Sequence, residues 1–103
     1  MGAQGITTIN FGTAPGSFSA TTVITGQAGI ASGSAVEAWV MPTATSDHSA
    51  DEHLVDPPKI MAGNIVAGTG FTIYGFASDN PGAGVDASAT KLYGLYTVAW
   101  VWN

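Results

Sequence analysis

The chain has 103 residues, and only nine of them are charged: seven carboxylates and two lysines, with a formal net charge of −5. Small soluble domains draw about a quarter of their residues from Asp, Glu, Lys and Arg. Phosphate binding needs clustered basic side chains, so direct nucleic-acid binding is not expected. The absence of cysteine excludes disulfides and thiolate chemistry.

The length predicts a single domain over residues 1–103, because a chain of this size buries roughly 60 to 70% of its unfolded surface around one core. Its apolar runs are too short to cross a bilayer, and residues 1–5 lack the basic and apolar regions of a secretion signal. We therefore expect no membrane association. A surface so poor in mixed charge suits a free monomer badly, which predicts a homo-oligomer.

Short alternating segments, separated by breaks rich in Gly and Pro, predict β-strands in the first half of the chain. The first two lie at residues 5–11 and 20–25. A third lies at residues 34–41. Its side chains alternate between two faces, with Val36, Ala38 and Val40 on one and Glu37, Trp39 and Met41 on the other. Both faces of this strand are largely apolar, and a proline stops it.

The segment at residues 43–58 differs from the rest of the chain because it is polar and acidic. Within it, Ser49 and Glu52 have the spacing of a capping box, in which each side chain bonds the backbone N–H of the other residue. The pattern predicts one or two helical turns that end before Pro57, with a long loop as the alternative. The segment contains Asp47, His48, Asp51, Glu52, His53 and Asp56.

Two further strands, at residues 59–66 and 71–77, are separated by a Gly-containing connection that predicts a hairpin. A turn-rich loop follows at residues 78–90. The last strand, at residues 92–102, has no hydrophilic face, so it must lie centrally in a sheet or against a partner. One face carries Tyr96, Val98, Trp100 and Trp102, and the other carries Leu95, Thr97, Ala99 and Val101.

The predicted fold is all-β. Roughly six to eight short strands with turns at these intervals predict an antiparallel β-sandwich or jelly-roll-like fold, with one long acidic loop or short helix.

The sequence offers little for catalysis or metal binding. His48 and His53 are five residues apart and do not share a helix face, so an ordinary acidic loop is expected rather than a metal site. A metal held between chains of a trimer is the alternative. A nucleophile elbow has the pattern Gly-x-Ser-x-Gly, but residues 29–33 read Gly-Ile-Ala-Ser-Gly, with the serine one position too late. We therefore expect no enzyme activity, no cofactor and no bound metal.

The aromatic residues in strands could stack on a sugar ring, but such residues more often fill a core or a subunit interface. We expect a subunit or capsid interface at Trp39, Tyr96, Trp100 and Trp102. We expect contacts of the acidic loop with solvent, a cation or a basic partner at Asp47, His48, Asp51, Glu52 and His53.

Over its whole length the chain resembles the short β-sandwich proteins that decorate or cement the capsids of tailed bacteriophages. The residues that carry this resemblance are 1–5, 35–40, 46–53, 68–75 and 95–103. The resemblance implies a virion structural protein, made in the host bacterial cytoplasm and located on the capsid surface. It also implies a homotrimer bound to the major capsid protein, with no active site.

The carboxyl-terminal strand is also similar to that of trimeric H-type lectin domains. This similarity implies an alternative function, a carbohydrate-binding module of a phage tail tip or fibre. Tyr74, Trp100 or Trp102, together with the acidic loop, would then contact the sugar.

Overall fold

The computed structural model describes residues 2–14, 16–55, 57–77 and 92–103. The turn-rich loop predicted at residues 78–90 lies outside the described residues. Within them the chain forms six strands and one short helix. These are β1 (Ala3–Asn10), β2 (Ser19–Ile24), β3 (Val36–Val40), α1 (Glu52–Val55), β4 (Lys59–Val66), β5 (Gly70–Phe76) and β6 (Leu95–Trp102).

The strands form two three-stranded sheets, and every pairing is antiparallel. Sheet 1 has the order β1-β6-β3, and sheet 2 has the order β2-β5-β4. The prediction of an all-β antiparallel fold is confirmed. The expected central position of the last strand is also confirmed, because β6 lies between β1 and β3.

Both sheets contribute to one hydrophobic core. The ring of Phe71 on β5 meets the ring of Trp100 on β6, with centroids 5.5 Å apart and planes at 71°. Phe11, which follows β1, packs edge-to-face on Tyr96 at 5.7 Å. Burying one such side chain contributes about 1.5 to 3 kcal/mol. The buried hydrophobic residues include Ile9, Phe11, Ile24, Ile30, Phe71, Ile73, Leu92, Tyr96, Val98, Trp100 and Trp102.

The predicted hairpin forms, with β4 and β5 paired in antiparallel register and Gly68 at a φ of 75° in the connection. The last strand begins later than predicted, at Leu95 rather than at residue 92. Gly94 has a φ of 76°, which is left-handed backbone that interrupts an extended strand. Leu92 forms only an isolated bridge to Ser17.

The capping box is confirmed. The backbone N–H of Ser49 donates to Oε1 of Glu52 over 3.0 Å, and the N–H of Glu52 donates to Oγ of Ser49 over 3.3 Å. These bonds satisfy two donors at the start of α1 that have no partner inside the helix. The helix ends at Val55, before Pro57, so the helical alternative for this segment is the correct one.

Candidate functional site

The outer face of sheet 1 carries an exposed apolar row. Ile6 on β1 and Trp39 on β3 both pair with Ala99 on β6, so the three side chains stand beside one another. Ile6 is 60% exposed and Trp39 is 47% exposed. The small side chain of Ala99 leaves a shallow depression of about 510 Å³ between them, bounded also by Gln4 and Met41. We call this surface the Trp39 face.

Glu37 stands at one end of the Trp39 face. It pairs with Val101, which in turn pairs with Gln4, so these three residues form the row next to the apolar one. Because side chains alternate along β3, Glu37 projects from the same side as Trp39. Its side chain is exposed.

The outer face of sheet 2 carries a second apolar surface, which we call the Met61 face. Met61 on β4 pairs with Tyr74 on β5, and the neighbouring row pairs Lys59 with Phe76. Met61 is 53% exposed, and Phe76 and Val23 are also exposed. Residues of both sheets form one core, and the Trp39 face and the Met61 face both lie on the outside of that core.

Of the four aromatic residues predicted at an interface, only Trp39 lies on the surface. Tyr96, Trp100 and Trp102 are buried, because this side of β6 faces the space between the two sheets. The indole N–H of Trp102 donates to Oε1 of Gln27 over 2.8 Å, which satisfies its polar atom inside the fold. These three side chains therefore belong to the core of the chain.

The acidic segment lies along the edge of sheet 1 where β3 ends. The N–H of Met41 still donates to the carbonyl of Thr97, over 2.9 Å, but the Met41 carbonyl accepts from the N–H of Thr43 across Pro42. In a continued ladder, directly opposite residues would exchange both bonds. The turn at Pro42 therefore leaves the N–H of Thr97 without a strand partner.

His53 supplies that partner. Its Nε2 accepts from the N–H of Thr97 over 3.0 Å, and its Nδ1 lies 2.8 Å from the carbonyl of Ser49. A ring nitrogen that faces a carbonyl must donate, and one that faces an N–H must accept. These partners assign a neutral imidazole with its proton on Nδ1. The side chain is 1% exposed.

Two other side chains of this segment replace backbone bonds to β6 in the same way. The hydroxyl of Thr45 donates to the carbonyl of Leu95 over 2.8 Å, and the N–H of Leu95 donates to Oδ2 of Asp47 over 2.8 Å. The segment that follows β3 thus continues the edge of sheet 1 through side chains.

His48, which belongs to the acidic segment, is buried against the start of β6. Its ring stacks on Tyr96, with centroids 4.3 Å apart and planes at 25°. Its Nε2 lies 2.5 Å from the carbonyl of Tyr93, and its Nδ1 lies 3.1 Å from Oε1 of Glu52. Both ring nitrogens face acceptors, so a protonated ring would donate to both and form an ion pair with Glu52.

The predicted loop contacts divide into two groups. Asp47, Asp51 and Glu52 are exposed, whereas His48 and His53 are buried and bond within the chain. Asp56 lies outside the described residues. Among the residues that the structure describes, no group of three or more His, Cys, Asp or Glu side chains could hold a metal ion.

The bonding of His53 was not predicted. The sequence shows that a proline stops β3, but nothing in its local pattern indicates that an imidazole bonds the N–H this leaves on β6. The two residues are 44 positions apart.

No protein-family model, curated protein or solved structure matches the chain. Across the described ranges, no helix is long and apolar enough to span a membrane.

Proposed function

We propose that this chain is a virion structural protein that decorates or cements the capsid of a tailed bacteriophage. In this proposal it is a homotrimer bound to the major capsid protein on the virion surface, and it is made in the cytoplasm of the host bacterium. The fold that we propose is a jelly-roll-like β-sandwich, which is supported by two antiparallel sheets that share one core.

The observation that carries the proposal is the exposure of large apolar side chains on both outer sheet faces of a chain with little charge. Contiguous apolar patches on a soluble protein mark surfaces that bind a partner. The exposed residues on these two faces include Ile6 and Trp39 on sheet 1, and Val23, Met61 and Phe76 on sheet 2.

We propose a role without catalysis. The chain has two histidines, and each places both ring nitrogens against partners of the fold. This arrangement supports a structural role for the two histidines, which are the residues best suited to acid–base or metal chemistry. Asp47, Asp51 and Glu52 are exposed together in the acidic segment, and they supply the negative surface that would meet basic groups of the capsid lattice.

The test combines a native mass measurement with co-sedimentation on preformed capsids that lack the protein. We expect the mass of a trimer and saturable binding to the capsids. Trp39→Lys places a charge in the apolar row and should weaken assembly. Ser32→Lys adds the same charge at an exposed turn and should leave it unchanged. A monomer that does not sediment with capsids would overturn the proposal.

A carbohydrate-binding module is the second candidate, and the depression beside Trp39 favours it. An exposed indole and the Gln4 amide border this depression, and a pyranose could stack there. Trp100 and Trp102 face the core and cannot provide the stacking surface, whereas Tyr74 is half-buried. Saturable quenching of tryptophan fluorescence by a sugar, lost in Trp39→Phe, would favour this candidate. The capsid proposal predicts no such quenching.

A further inference from the structure

The placement of charge on the strands points to a specific contact between copies. Of the charged residues that the structure describes, only Glu37 and Lys59 lie in strands. Glu37 is on β3 of sheet 1, and Lys59 is on β4 of sheet 2. The strands thus carry one charge of each sign, on different sheets.

Each of these charges borders an exposed apolar surface. Glu37 is two residues from Trp39 on the same side of β3, and Lys59 is two residues from Met61 on the same side of β4. Lys59 also pairs with the exposed Phe76. Both charged side chains are exposed, and neither has an ion-pair partner within the described segments.

The two faces are complementary, but within one chain they do not face each other, because both are turned outward from the shared core. If two Trp39 faces met, the interface would hold two Glu37 carboxylates and no cation, which is unfavourable on an apolar surface. A Trp39 face against a Met61 face instead puts apolar rows against each other and a carboxylate near an ammonium group. A second copy of the chain supplies this arrangement.

We infer that the Trp39 face of one copy binds the Met61 face of the next, with Glu37 of one copy paired with Lys59 of its neighbour. Such a contact joins different surfaces of identical chains, and it forms a ring when the rotation closes. A ring that closes after three copies would be the proposed homotrimer. The number of copies therefore rests on the proposed function, whereas the contact itself does not.

Charge reversal tests the contact in the absence of capsids. Glu37→Lys and Lys59→Glu should each raise the dissociation constant of the assembly at least about tenfold, because each puts two like charges at the interface. The double variant should restore assembly, because the pair re-forms with its charges exchanged. Ser32→Lys adds a charge at an exposed turn outside both faces and serves as the control. Thermal melting checks that each variant is folded.

Three results would overturn the inference: a monomeric wild-type protein, an assembly unaffected by Lys59→Glu, or a double variant no better than the single ones. The last two would assign the two charges to another role, keeping the outer sheet faces soluble. Capsid binding by the wild-type protein separates the two proposals. A wild type that assembles but ignores capsids refutes the function alone. If the wild type binds capsids but the double variant does not restore assembly, the contact alone is refuted.

Discussion

Nε2 of His53 accepts a hydrogen bond from the backbone N–H of Thr97, over 3.0 Å, at the point where β3 turns away from the central strand β6. The imidazole takes the place of the Met41 carbonyl, which the turn at Pro42 directs to the N–H of Thr43. A buried N–H without a partner costs about 1 to 3 kcal/mol, so the side chain of His53 keeps an interrupted sheet edge stable. The acidic segment is therefore part of the fold as well as a charged surface.

Replacing His53 by Phe should destabilise the protein by about 1 to 3 kcal/mol, because the ring remains but the acceptor for Thr97 is lost. His53→Gln is the matched variant, since its amide oxygen can accept the same hydrogen bond, and it should be the more stable of the two. Urea unfolding followed by tryptophan fluorescence measures both. Equal stability of the two variants would contradict this role of the imidazole.

The tautomer of His53 can be observed directly. Its partners assign the proton to Nδ1, which donates to the carbonyl of Ser49, and a lone pair to Nε2. A long-range ¹H–¹⁵N correlation spectrum at neutral pH should show Nδ1 protonated and Nε2 unprotonated. The backbone amide of Thr97 should also exchange slowly with solvent. A proton on Nε2 would refute the assigned bond.

Gly94→Ala should destabilise the fold by more than about 1 kcal/mol, because L residues with a side chain are strained at a positive φ. At Gly94 φ is 76°, and an added Cβ would lie 2.6 Å from Cβ of Asp47. Gly33→Ala is the control, because no heavy atom lies within 4 Å of an added Cβ there and φ is not in the strained range. Thermal melting should show a clear loss for the first variant and little change for the second.

Gly5→Ala should displace the ring of Trp100. The two residues are paired across β1 and β6, and an added Cβ at Gly5 would lie 2.5 Å from Cζ2 of Trp100. We expect lower stability together with a changed near-UV circular dichroism spectrum, since this ring packs on Phe71 in the core. Gly63→Ala on β4, where an added Cβ meets nothing within 4 Å, should leave the spectrum unchanged.

The parts of the fold that were predicted correctly depend on local patterns. Alternation located the strands, and the spacing of Ser49 and Glu52 identified the capping box. The role of Trp100 could not be predicted in the same way, because both sides of β6 are apolar. Which side faces the core is decided by the packing of sheet 2. The role of His53 depends on Thr97, a residue 44 positions away, which only the folded chain brings to it.

In the proposed function, the exposed apolar faces are covered by other chains on a capsid. The most direct measurement mixes the purified protein with capsids built from the major capsid protein alone, and determines by sedimentation and native mass spectrometry what binds. The proposed function predicts saturable binding of a species with the mass of a trimer, weakened by Trp39→Lys. A protein that stays monomeric and remains in the supernatant at saturating capsid concentration would contradict it.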